Sequence, residues 1–431
     1  MSFEQIGPIQ VVALAFSIAL VIYWIVLPRT LPITIAAFLL CFSFSPILPD
    51  AASLGIQGIA LVLGFAYYFL SAPGDRRGGA VVPALGFVAI YWLLLILHPN
   101  VPSVLVGAQG YQKSILAISG LALGASVRAH YRASVEVAII KILSVAVFVS
   151  IIAYFWIPEI TSLVNRDADE YTASFRGIPR LQGIYPGPFH VALSGLILVS
   201  WSLHRWKTHR LLSKVAIIAG LAAMYLSYVR TVYVALAAIA IAMFILSASR
   251  PRKFFWLLLG SILTVPTYMF LRSGVTPVFD VLRSLAQFTT DERFLNRIPE
   301  YLEGFDLFSR SPFLGWGSGA AGDTLGDEFQ SGEHISPHNV ILKILVEGGI
   351  IGLVPWICLF VLVVKHLDRK SSAGKLSVSI LVGIFSLGMT TASIEAVPPA
   401  YFAFVLVGLS LTNRQEFHSH KIKHEVLAAP G

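Results

Sequence analysis

The sequence predicts an all-α polytopic membrane protein, with about 12–13 transmembrane helices and one large outer loop that carries an amphipathic helix. Three observations lead there. The chain is 56% apolar and only 13% charged, with a mean hydropathy of +0.77, outside the range of soluble globular domains. Apolar runs of about 18–23 residues recur from end to end, each long enough to cross a hydrocarbon core of roughly 30 Å as a helix. The basic residues divide unequally between alternate connections, as expected of a chain with a cytoplasmic side.

Thirteen runs qualify as spans, at 8–27, 31–48, 53–71, 80–98, 104–126, 135–157, 187–203, 211–229, 231–247, 254–270, 339–364, 376–394 and 396–412. The first, "PIQVVALAFSIALVIYWIVL", is too long for a signal-peptide core and has no basic segment before it, so it counts as a span. With the N-terminus outside, the connections at 28–30, 72–78, 127–134, 204–214, 248–253, 365–375 and 413–431 face inward and hold 19 of the 31 Lys and Arg residues. The net charge of +8 is therefore mostly a topology signal, and nucleic acid is not an expected partner. Cys41 and Cys358 both fall inside spans and suggest no disulfide framework.

The expected organisation follows from these runs. N-terminal transmembrane helices fill 1–157, a first long outer loop 158–186, central helices 187–270, a large outer loop 271–338, C-terminal helices 339–412 and a cytoplasmic tail 413–431. The inner connections are short and the two long loops share one face. A transporter built from inverted repeats should instead show matching halves, so the asymmetry favours work at the outer surface. In the large loop, Ile298, Tyr301, Leu302, Phe305 and Phe308 recur at helical spacing, which predicts an amphipathic helix over 297–309 lying on the bilayer surface or on the bundle. The segment "PFLGWGSG" then ends it in a tight loop; without a P-loop lysine it reads as a turn rather than a phosphate cradle.

Polar candidates gather on that outer face. "SFRGIPRLQGIYPGPFH" contributes Arg176, Arg180, Gly183 and His190, "SYVRT" places Arg230 at a helix junction, and the large loop adds Arg293 and Arg297. A boundary arginine can snorkel to headgroups or pair with a carboxylate. Several converging would make an anion site, since each guanidinium presents a fixed fork of donors, and a diphosphate fits it. "SPHNVILKILVEGGIIGL" then holds His338, either a capping or interface residue or a general base suited to taking a proton from a hydroxyl, with His334 as its competitor. Ser336 and Asn339 are possible helix caps. Lys343 and Glu347, one turn apart, read as a structural pair kept within the membrane. Gly348 and Gly352 form a small-residue surface for another helix. The acidic pair Asp167 and Asp169 could hold a divalent cation, but lone D-x-D spacing is common, and no metal is assigned.

In order, R-x-x-G in an outer loop, "SYVRT", "RIPEYLEGFDLFSRSPFLGWGSG" and "HNVILKILVEGGIIGL" resemble the O-antigen ligase and Wzy-type polymerase superfamily of bacterial membrane glycosyltransferases. The similarity spans roughly 180–353 by motif, with Tyr301 standing where many members have Trp. It implies a metal-independent enzyme without cofactor, working at the periplasmic face of the inner membrane. The donor would be an undecaprenyl-diphosphate-linked oligosaccharide and the acceptor a glycan or lipid A–core, with other polysaccharide-assembly proteins as partners in the bilayer. It also implies that His338 is the catalytic histidine and that Arg230, Arg297 and Arg180 bind substrate, with Asn339 beside them. Polymerase is favoured over ligase because no loop stands out as a dock for lipid A–core. The rival class is a lipid-linked glycan flippase, which should line a mid-membrane path with charge, whereas the spans are poor in it, with Lys113, Lys141, Lys343 and Glu347 among the few.

Overall fold

The computed structural model describes residues 32–48, 50–70, 77–157, 174–175, 178–246, 295, 297–324, 328–330 and 333–412. Twelve α-helices occur among them, numbered here in chain order: α1 (Pro32–Ser43), α2 (Asp50–Leu70), α3 (Val81–Leu95), α4 (Val104–Ser126), α5 (Arg132–Trp156), α6 (Pro188–Arg205), α7 (Arg210–Leu226), α8 (Thr231–Leu246), α9 (Arg297–Arg310), α10 (Val340–His366), α11 (Ser372–Gly388) and α12 (Pro399–Leu409). A two-residue antiparallel pair, β1 (Ser174–Phe175) and β2 (Ile178–Pro179), is the only sheet among the described residues. The protein is thus an all-α polytopic membrane protein. Ala52–Phe69, Ala129–Trp156 and Val340–His366 are long and apolar enough to cross a bilayer, and several other helices are apolar but shorter.

Eleven of the thirteen apolar runs coincide with helices; the runs 8–27 and 254–270 lie outside the described residues, as do the tail 413–431 and Asp167, Asp169, Arg176 and Arg293. One continuous core joins the bundle, with Trp92, Trp201, Trp356 and Tyr401 fully buried. The opposite faces of the same helices are apolar and exposed, as with Phe87, Ile90 and Leu94 on α3 or Ile350, Val354 and Ile357 on α10. A soluble protein rarely leaves so much contiguous apolar surface open, whereas lipid covers it at no cost. Close helix approach uses small residues: a side chain on Gly124 of α4 or Gly408 of α12 would run into the other helix's backbone.

The bundle has two distinct ends. At one, Gly78 donates to Thr412 and Thr412 to His366, Leu367 pairs with Leu411, and Arg205 makes a salt bridge with Glu136. Most of the described basic connections lie here, including Lys207, Arg210, Lys365, Arg369 and Lys370. At the other end α9 and the loop after it cover the starts of α4 and α10 and the ends of α3 and α11. A small second core forms under that loop from Val106, Leu307, Ala320, Ala321, Phe329, Ile335, Leu342 and Val346.

Helix α9 spans 297–310, one residue beyond the expected range, but its faces divide differently from the apolar stripe. Gly304 and Leu307 are the buried residues, with Tyr301 and Phe308 partly covered, while Ile298, Leu302 and Phe305 are exposed. The glycine decides the rotation: at Gly304 a Cβ would lie 2.6 Å from Leu342, so only this face comes close to α10.

Candidate active site

The loop end is built around an interruption in α10. Gly349 sits inside this helix at φ 61 and ψ −164, a backbone geometry that favours glycine, and it breaks the helical hydrogen-bond ladder. The segment "PFLGWG" occupies the break. Ile350 N donates to Pro312 O (2.9 Å), Ile351 N to Phe313 O (3.2 Å), Trp316 N to Val346 O (2.8 Å) and Gly317 N to Glu347 O (3.0 Å). Backbone groups freed within the membrane helix are therefore satisfied by the loop, as a low-dielectric setting demands. Gly348 and Gly352 face the rings of Tyr91 and Trp92 on α3, with room for no larger residue without displacing them.

Below the break lies a buried ionic network. Lys343 and Glu347 have no exposed side-chain surface. Lys343 Nζ contacts Glu347 Oε1 at 2.8 Å and Glu395 Oε1 at 2.9 Å, and donates to Ala321 O at 2.6 Å. Glu347 Oε2 accepts from Trp92 Nε1 (3.0 Å) and Ser114 Oγ (2.8 Å), and its Oε1 from Gly319 N (3.1 Å). Glu395 Oε2 accepts from Asp323 N (3.3 Å), and Asp323 pairs with Lys113 (3.0 Å). Lys113 holds the Asp323 carboxyl below the usual carboxylate range. This set ties α3, α4, α10, the 393–395 turn and the loop 319–323 together. Glu395 and Asp323 were absent from the sequence candidates; the one available sign of Glu395 was a carboxylate between two apolar runs.

At the mouth of α10 the polar groups are held from several sides. Asn339 is the N-cap: its Oδ1 accepts from Ile341 N (2.9 Å) and Leu342 N (3.0 Å), and its Nδ2 donates to Met389 O (3.2 Å). Both ends of the amide are committed to protein. Tyr301 Oη donates to the same Met389 carbonyl (3.3 Å), which locks α9 to the end of α11. Between them His338 has φ 41, a left-handed conformation costly for a side-chain-bearing residue and typical of functional positions. Its Nε2 lies 3.8 Å from Glu300 Oε2, one turn after Arg297 on α9. Competing His334 is engaged within the loop, its Nε2 3.1 Å from both Gly322 O and Thr324 Oγ1.

Burial pushes the His338 imidazole down to about 4; the Arg297 guanidinium adds to the shift, and the carboxylates of Glu395 and Asp323 oppose it. The side chain nevertheless keeps 41% of its surface open, as a residue on a cleft wall does. It is neutral near pH 7, the form that can accept a proton. Burial raises the Glu300 carboxyl, with Arg297 opposing the shift and Glu303 adding to it.

At a second place on the same end Arg180 is held against the turn that carries Arg230. Arg180 is buried, its Nε donating to Ser227 O (3.0 Å) and its guanidinium 5.5 Å from the centre of the Phe189 ring. Leu181 N donates to Leu226 O (2.9 Å), which fastens this strand of chain to the α7–α8 turn. Arg230 closes that turn, two residues after Tyr228, whose φ of 52 is the other left-handed non-glycine position among the described residues. The structure thus brings Arg297 beside His338 and Arg180 to the turn that carries Arg230. Both pairs lie at the loop end, with His190 on the first turn of α6.

Arginines, a neutral histidine and a left-handed backbone thus gather at one end of the bundle. No curated protein gives a significant match to the chain. Residues 215–357, which run from α7 into α10 and include Arg230, Arg297, His338, Lys343 and Glu347, match the family model described as O-antigen ligase. The similarity to this family covers that segment, about a third of the chain.

Proposed function

We propose that the protein is an inner-membrane glycosyltransferase of surface-polysaccharide assembly. It transfers a glycan from undecaprenyl diphosphate to an acceptor hydroxyl at the periplasmic face. The observation that carries this reading is the meeting of Arg297, Glu300 and neutral His338 at the end of the bundle opposite most of the described basic connections. The positive-inside rule assigns those connections to the cytoplasm, which turns His338 outward.

The chemistry follows from the residues. As the anomeric bond breaks, negative charge grows on the departing diphosphate, and fixed guanidinium donors stabilise it most when that charge is greatest. Arg297 takes this role beside His338, and Arg230 and Arg180 extend the cationic face. His338 accepts the proton of the attacking hydroxyl. An imidazole held at about 4 is a weak base in the empty site. A bound diphosphate places negative charge beside it and opposes Arg297, which raises its basicity when substrate is present. The base is strengthened by the molecule it serves.

The acceptor we favour is a second carrier-linked repeat, which makes the protein a polymerase; lipid A–core as acceptor would make it a ligase. His338→Ala, expressed in a strain lacking the native protein, tests the assignment when surface glycans are resolved by length. Single repeats on lipid A–core are the expected outcome. Polymer retained on the carrier with none attached assigns a ligase instead, and wild-type glycans at normal protein level remove His338 from catalysis.

A further inference from the structure

Glu300 lies within the segment that carries the resemblance but receives no role from it, and its placement is specific. Its Oε2 is buried and makes no hydrogen bond, although the residue stands on the solvent-reachable side of α9. The nearest basic group to that oxygen is Nε2 of His338, at 3.8 Å. Both residues are fixed by the surrounding protein. α9 is pinned through Gly304, Trp316 Nε1 to Leu307 O (2.7 Å) and Tyr301 Oη to Met389 O, and His338 is held in a left-handed conformation by the Asn339 cap. Catalytic hydrogen bonds are often long in an empty site and shorten when substrate binds.

The geometry points to Glu300 as the positioning carboxylate of His338. It faces Nε2, selects the tautomer with hydrogen on that nitrogen, and leaves the Nδ1 lone pair to face the acceptor. This inference rests on the transferase reading above. In the step, the acceptor O–H bond breaks and its proton moves to Nδ1, while the oxygen's electron pair forms the bond to the anomeric carbon. The anomeric carbon–oxygen bond breaks with its electron pair retained by the diphosphate. The imidazolium that forms is countered by Glu300 and then returns its proton to water or to the departing diphosphate. A carboxylate facing the distal nitrogen of a histidine base orients the ring and balances its charge in this way.

The charged groups around His338 are Arg297 and Glu300 from α9, Glu395 from the turn before α12 and Asp323 from the loop. Of these, Glu300 is the carboxylate with an oxygen paired at 3.8 Å to the ring. Its removal should therefore move the ring's titration, not merely weaken the fold.

The test uses the full chain reconstituted in liposomes with a polyprenyl-diphosphate-linked oligosaccharide as donor, following kcat and donor KM across a pH series. Glu300→Gln should lower kcat roughly ten- to a hundredfold with donor KM unchanged. It should also shift the acid limb of the kcat profile to lower pH, because loss of a nearby negative charge makes the imidazolium more acidic. Glu300→Asp should recover part of the rate. Unchanged kcat and acid limb in Glu300→Gln overturn the role, as does a loss of rate that follows only the amount of folded protein while the limb stays in place. His338→Ala separates the two levels: wild-type turnover from it overturns the transferase reading of His338, whereas an inactive His338→Ala beside a fully active Glu300→Gln overturns the role of Glu300 alone.

Discussion

His338 combines a neutral ring, a left-handed backbone and a guanidinium one helix away. Because burial lowers the imidazole and Arg297 adds to the shift, the free protein should hold the base deprotonated well below the usual histidine range. The acid limb of kcat/KM, which reports the unliganded enzyme, should therefore fall near pH 4 and not near the 6.5 of an unperturbed histidine. Arg297→Gln should move that limb upward and raise the donor KM, since one change removes both a positive neighbour of the ring and a diphosphate ligand. A limb that stays in place would separate Arg297 from His338. The sequence made both residues visible, because rare polar groups at the edge of an apolar run stand out. It hid Glu300, Glu395 and Asp323, whose meaning comes only from contacts with residues far along the chain.

Among the elements, α10 bears the most unusual design: a long apolar helix broken at Gly349, with a loop satisfying its backbone and a buried lysine holding two carboxylates. Lys343→Met would leave Glu347 and Glu395 buried without their cation. Breaking a buried ionic set by removing one partner costs about 3–5 kcal/mol. The thermal midpoint in detergent should drop markedly, and a midpoint equal to wild type would show that the carboxylates find another partner. Helix positions were readable because apolar length and basic flanks are local properties. The break in α10 was not, since "EGGIIG" reads equally well as a packing surface, and Gly348 and Gly352 do pack against α3. The orientation of α9 also escaped, because hydropathy favours large apolar residues as the inner face whereas Gly304 is what allows contact.

Across the whole molecule, charge and chemistry segregate to opposite ends. Most of the described basic connections gather at one, while the arginines, His338 and the ionic network beneath them gather at the other. The buried network fastens the loop 319–323 to α3, α4 and α10, and among the described residues it does not extend to the opposite end, an arrangement suited to chemistry at a surface more than to passage through the bundle. The central claim is that His338 is the base of glycosyl transfer from a polyprenyl diphosphate. The most direct measurement is release of the diphosphate carrier by purified protein in liposomes, comparing wild type with His338→Ala at equal folded amounts. The expected result is a loss of roughly a hundred- to ten-thousandfold in kcat with donor binding retained. Turnover by His338→Ala at the wild-type rate would contradict the account.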